Sequence, residues 1–252
     1  MGAAVARDRT TLLSGGVLIL AALAAWATLL MQSDTPMPAA GGGEALAFLA
    51  AWGIMMAAMM LPSATPMITL YAAVRRTAAP GGPGGLSTVV FAFVYLVVWV
   101  AFGLPVYAAS VLVSLQTALD DVLPYALGAV LVGAGVYQFT PLKRACLRVC
   151  RNPVSFLLTR SRAGYRGTLG LALEHAAYCV GCCWGLMVVL VAAGAMALHW
   201  VLLIAAVVFV EKLLPRGEWT AAIVGGALLL LGLAIVVHPE LALVLRPSSM
   251  GM

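Results

Sequence analysis

Long apolar runs alternate with short polar breaks along almost the whole chain, and the runs have the length of membrane spans. The first covers about Leu12 to Met31, close to the ~20 residues that cross a hydrocarbon core. A linker from Gln32 to Gly43, with Pro36, Pro38 and consecutive glycines, separates it from a second run at 44–71. Arg75, Arg76 and the Gly/Pro-rich stretch Pro80 to Gly85 precede a third run at 86–115. Asp120 and Asp121 mark a turn, a fourth run occupies 122–140, and Pro141 ends it. The apolar stretch from Thr168 to Leu214 is too long for one span. It divides near Gly194 and Met196-Ala197-Leu198-His199 into 168–196 and 198–214. The bracket Glu211, Lys212, Pro215, Arg216, Gly217, Glu218 then leads to a last run at 219–237. The pattern predicts an all-α polytopic membrane helix bundle of about seven transmembrane helices, in one membrane domain covering 1–252. Gly128, Gly133 and Gly135 in the fourth run are expected to let helices approach closely.

Composition agrees. Of 252 residues 63% are hydrophobic and 9% charged, against about a quarter charged in soluble domains. The net charge of +5 does not point to nucleic acid, because its distribution follows topology. With seven spans, thirteen of the fourteen basic residues fall on one side: in the head, around Arg75 and Arg76, in the Arg-rich segment 142–167, and at Lys212 and Arg216. Only Arg246 falls on the other. The positive-inside rule then puts the N-terminus in the cytosol and the C-terminus in the periplasm. The first run is long for a signal-peptide core and no convincing small-x-small cleavage site follows, so it reads as an uncleaved span.

The candidate chemistry is sulfur. His175, Cys179, Cys183 and Met187 recur every four residues and share one helical face, with Cys182 beside it. Met55, Met56, Met59 and Met60 cluster on another span, just before Pro62 and Pro66. At about 1.5 Å rise per residue, the methionines lie roughly 17–24 Å along their span and the cysteines roughly 17–23 Å along theirs, both near mid-bilayer. Thiolates and thioethers favour Cu(I) over hard cations, and imidazole widens the choice to zinc and other transition metals. Charge also favours copper, since a bare charge at mid-span costs about 2.5–3.5 kcal/mol. One thiolate with thioethers around Cu(I) is neutral, whereas two thiolates leave one negative charge. Cys146 and Cys150, four residues apart in an Arg-rich segment, would share one face of a short amphipathic helix. That helix would serve as a cytosolic transfer point, or lie on anionic lipid with its thiols buried. Thiols on the cytosolic side stay reduced, which argues against a disulfide framework.

Plainer readings stand beside these. Methionine is an adaptable packing residue and a free cysteine behaves as a small buried hydrophobe. Glu174 and His175 could simply sit at the inner membrane interface.

Several stretches together resemble a bacterial group called "predicted metal-binding integral membrane protein", domain of unknown function 2182. They are Trp52 to Pro62 with Pro66-Met67, Tyr137 to Lys143 with Cys146 and Cys150-Arg151, Cys179 to Trp184, Gly194 to Met196, and Glu211 to Pro215. The resemblance implies membrane metal binding and names neither the metal nor a reaction. Three functions follow as expectations. The first is a bacterial inner-membrane protein that binds Cu(I) for transport or for delivery, with a copper chaperone or a cuproenzyme as partner. The second is a thiol-disulfide oxidoreductase using the Cys179–Cys182 pair. The third is a structural subunit without metal. No nucleotide-binding P-loop is present to power transport.

Overall fold

A computed structural model of the chain describes residues 9–31, 44–78, 84–114, 122–162, 164–194, 197–214 and 217–242. Among the described residues all regular structure is helical: α1 (Arg9–Met31), α2 (Glu44–Ala78), α3 (Gly84–Ser114), α4 (Leu123–Gln138), α5 (Pro141–Arg151), α6 (Pro153–Arg160), α7 (Gly164–Gly194), α8 (Leu198–Leu213) and α9 (Gly217–Val237), with a 3-10 turn at Pro239–Leu241. The linker 32–43, the stretch 80–83, Asp120, Asp121, Met196, Pro215, Arg216, and the basic residues Arg7 and Arg246 lie outside the described residues.

The chain is a multi-pass membrane protein. Among the described residues five stretches are long and apolar enough to cross a bilayer: Leu12–Met31, Ala45–Arg76, Gly85–Val111, Gly164–Ala193 and Gly217–Val237. A sixth is added if α4 and α5, bent by 63° at their junction, count as one broken span. The pattern of apolar runs gave seven. The difference lies in α4 and α8, of 16 residues each, about 24 Å long against a core of about 30 Å.

The Arg-rich segment 142–167 is mostly two short helices, α5 and α6. Thr140 has extended backbone and its hydroxyl accepts from the Lys143 amide at 3.2 Å, while Pro141 fills the first helical position. These two features stop α4 and start α5 at a new angle. The expected amphipathic helix does form. Its apolar side docks on protein, chiefly α7, with Cys146 and Leu147 buried and Arg144 and Arg148 exposed.

α7 is the central element, packed against α3, α4, α5 and α8. Its buried positions include Ala172, His175, Ala176, Cys179, Cys182, Cys183, Leu186, Met187 and Leu190, the period of a helix face turned to the core. α2 packs on α1, α3 and α8. It is pinned to α3 by Trp52 Nε1 donating to the Trp99 carbonyl at 2.9 Å, and to α7 by the Tyr71–Thr168 hydroxyl pair at 2.7 Å. Pro62 and Pro66 lie inside α2 without ending it, and Ser63 and Thr65 donate back to the carbonyls of Met60 and Leu61.

α9 packs most extensively on α4, through glycines spaced seven apart on each helix. A Cβ at Gly128 would stand 3.1 Å from the Gly232 carbonyl, and one at Gly135 would stand 2.9 Å from the Gly225 carbonyl. Gly133, expected to share this role, faces open space and takes no part.

Candidate metal centre

Three thiols from two elements converge in the bundle. The Sγ atoms of Cys179 and Cys182 on α7 and Cys150 on α5 all lie within 4.8 Å of one another. Cys182 is the middle member, with its sulfur 3.8 Å from Cys150 and 3.2 Å from Cys183. Its thiol also contacts the Cys179 carbonyl, one turn back, at 3.2 Å. Cys179, Cys182 and Cys183 are buried and Cys150 is half-buried. All five cysteines are free thiols.

Cys150 reaches this cluster because α5 lies flat against α7. The close fit uses the glycine at 181, since a Cβ there would stand 2.7 Å from Cys146 Sγ. Tyr137 at the end of α4 donates its hydroxyl to the Gly181 carbonyl, fastening the same turn. The structure thus joins Cys150 to the membrane cysteines, where the sequence pattern placed it with Cys146 at a separate cytosolic point. The flanking guanidinium groups point elsewhere: Arg144 donates to the Phe139 carbonyl and Arg148 to the Arg144 carbonyl.

A cation stands on the other side of Cys179. Lys212 Nζ lies 2.9 Å from Cys179 Sγ, 3.2 Å from Ser63 Oγ and 3.9 Å from Met60 Sδ. The Tyr95 hydroxyl approaches the same sulfur at 3.0 Å. Lys212 therefore ties α8 to both α7 and α2, and it is the link between the cysteine cluster and the methionine helix. The preceding residue, Glu211, faces a different way. Its carboxylate accepts from Lys143 Nζ at 2.7 Å and from Gln138 Nε2 at 3.1 Å, and both members of the Lys143–Glu211 pair are only 1% exposed. An unpaired charge at that depth would be costly, so the pairing clamps α5 to α8. Lys143 and Lys212, counted above as loop charges, are buried protein contacts.

The other expected residues occupy the same core in different places. His175 is buried between the rings of Phe91, Tyr95 and Phe156, with centroids 5.9, 5.8 and 5.8 Å away. Its Nδ1 has no hydrogen-bond partner among the described residues. Its neighbour Glu174 pairs with Arg160 on α6. Met187 is buried two turns beyond Cys179. Met55, Met56, Met59 and Met60 are all buried, and Met60 is the one that reaches Lys212. The Cys182 sulfur lies 3.8 Å from that of Cys150 and 3.2 Å from that of Cys183, and the Cys179 sulfur, its partner in the redox reading, is within 4.8 Å as well.

Sequence reasoning missed Lys212, Glu211, Ser63 and Tyr95. One signal was available. Val201, Ile204, Val208, Glu211 and Lys212 continue a single buried stripe at helical spacing, so the two charges extend the core face of α8.

Membrane-length helices around a buried cluster of soft donors define a class, a multi-pass membrane protein equipped for metal. Residues 49–235 match the family PpoB2, described as copper chaperone, and the chain belongs to that family. No curated protein and no solved structure matches it. The family description names copper, where the motif resemblance named only a metal.

Proposed function

We propose that the chain binds Cu(I) among Cys150, Cys179 and Cys182 in the bacterial inner membrane and passes it to a cuproenzyme or a further copper carrier. The observation that carries this reading is the convergence of three thiols, from two elements, within 4.8 Å inside an apolar bundle. Soft sulfur donors in a dry site select Cu(I) over hard cations, and the family description agrees. Cys183 and Met60 border the cluster as supporting sulfurs. His175, Met187, Met55, Met56 and Met59 are assigned as further donors along the route of the ion, all of them buried in the same core, while Cys146 packs against Gly181.

The membrane arrangement we favour keeps seven spans, with α8 as a short one and the N-terminus in the cytosol. Lys143 and Lys212 drop out of the charge count, and the remaining basic residues still fall almost wholly on one side.

The test is elemental analysis after anaerobic purification, with X-ray absorption to identify the ligand atoms. Copper in proportion to protein, with an all-sulfur shell that is lost in Cys179→Ser/Cys182→Ser, is the expected result. Absence of copper from the wild type, or undiminished copper in that variant, would overturn the reading.

A further inference from the structure

We infer that Lys212 is a counter-cation built into the metal site and that it sets the site for a monovalent ion held by two thiolates. The inference deepens the copper reading above and rests on it.

Lys212 is a buried residue with 5% exposure on the inward stripe of α8. Among the described residues no carboxylate comes within ion-pairing distance of its ammonium, because the adjacent Glu211 is engaged by Lys143. The group that faces Nζ at charge-assisted distance is the Cys179 sulfur, 2.9 Å away. Ser63 Oγ accepts a second N–H at 3.2 Å, and that hydroxyl in turn donates to the Met60 carbonyl at 3.0 Å. Its partners among the described residues are therefore the Ser63 hydroxyl, the metal-site sulfur of Cys179 and, at 3.9 Å, the Met60 thioether. A buried ammonium in such a place calls for an anion, and the thiolate of Cys179 is the available one.

This changes the charge count that composition alone allowed. Two thiolates around Cu(I) leave one negative charge, which in a bilayer would push the site toward a single thiolate with thioethers. With the Lys212 ammonium included, two thiolates and one Cu(I) sum to zero. The same pair around a divalent ion leaves a positive charge, so that ion must recruit a third thiolate to reach neutrality. Lys212 thereby acts as a specificity-determining residue without being a ligand, through the electrostatics of the dry site.

The experiment measures Cu(I) and Zn(II) affinities of the full-length detergent-solubilised protein against chelators of known affinity, without oxygen. In Lys212→Met, Cu(I) should bind about 100-fold more weakly, the equivalent of one uncompensated charge in a membrane core. Zn(II) should weaken less or tighten, so the Cu(I)/Zn(II) preference falls. Lys212→Arg keeps the charge and should stay within about tenfold of wild type. Cys182→Ser should weaken Cu(I) by at least roughly tenfold in the wild type yet add little to Lys212→Met, which is already confined to one thiolate. Fully additive losses would mean that Lys212 only supports packing, and an unchanged Cu(I)/Zn(II) preference in Lys212→Met would also overturn the inference. Lys212→Gln, which keeps a donor for Ser63, replaces the Met variant if that one does not fold. A measurement on the wild type is independent of all variants. X-ray absorption should count fewer sulfurs around Cu(I) than around Zn(II), and equal counts would overturn the inference. Wild-type protein that binds no Cu(I) would instead refute the copper reading itself, whatever Lys212 does.

Discussion

Replacing Gly181 with alanine should weaken copper binding while leaving all five thiols in place. The new Cβ would stand 2.7 Å from Cys146 Sγ, whereas non-bonded heavy atoms settle at about 3.5–4.0 Å. The cysteine side chain is short and on a helix its rotamers are few, so the expected response is a retreat of α5 by about 1 Å at that point, and a simple turn of the Cys146 thiol would leave affinity unchanged. α5 also carries Cys150, whose sulfur is 3.8 Å from that of Cys182, so the retreat opens the cluster. Overpacking of this kind costs about 1–3 kcal/mol. The strain that closing the cluster on the ion has to overcome, taken at about 1.4 kcal/mol within that range, is about a tenfold loss of Cu(I) affinity. Anaerobic chelator competition on Gly181→Ala, Cys146→Ala and the double variant is the assay. Cys146→Ala alone should bind nearly as wild type, and combined with Gly181→Ala it should restore affinity by removing the obstructing sulfur. Wild-type affinity in Gly181→Ala would show that the α5–α7 contact does not shape the site. A double variant that recovers nothing, together with a weak Cys146→Ala, would make Cys146 a ligand in its own right.

Cys150→Ser should lose far more copper than Cys146→Ser, read as copper per protein, because Cys150 lies within the thiol triad and Cys146 lies against Gly181. Glu211→Gln leaves Lys143 buried without its counter-charge and should cost about 3–5 kcal/mol of stability, seen as a lower Tm in detergent. Adding Lys143→Met should recover most of that loss, and failure to recover would show that the unpaired Lys143 charge is not its cause. Reporter fusions at Asp121 and at the C-terminus should report periplasm and fusions at Arg151 cytosol. A cytosolic C-terminus would remove one of the seven spans.

The helical class and the inward turn of the α7 stripe were legible because both depend on periodicity, which a single sequence displays. His175, Cys179, Cys183 and Met187 were placed on one face by spacing alone, and all four are buried. Cys150 was not legible as a neighbour of Cys182. Its position depends on the 63° bend after α4 and on the gap at Gly181, two features of tertiary packing that leave no periodic trace. Gly133 shows the converse error: composition marked three glycines alike, and only Gly128 and Gly135 meet another backbone. Lys143 and Lys212 were misread for a single reason. Charge next to an apolar run ordinarily marks a span's end, and only a partner from a distant element makes burial affordable.

Those partners explain why the charges sit where they do. Glu211 and Lys212 are adjacent on α8 and point about 100° apart, as consecutive helical residues must. One therefore faces α5 through Lys143, and the other faces α7 and α2 through Cys179 and Ser63. Each contact alone would be an expensive way to hold two helices together, since burying a charge pair gains little over an apolar contact. Together they fix α5, which brings Cys150, relative to α7, which brings Cys179 and Cys182. They do so from one turn of a third helix that contributes no sulfur. An apolar turn there could pack as tightly but could not neutralise a thiolate, and it would leave the register of α5 on α7 to shape alone. The last turn of α8 is thus where the placement of the cysteines and the charge facing them are set together.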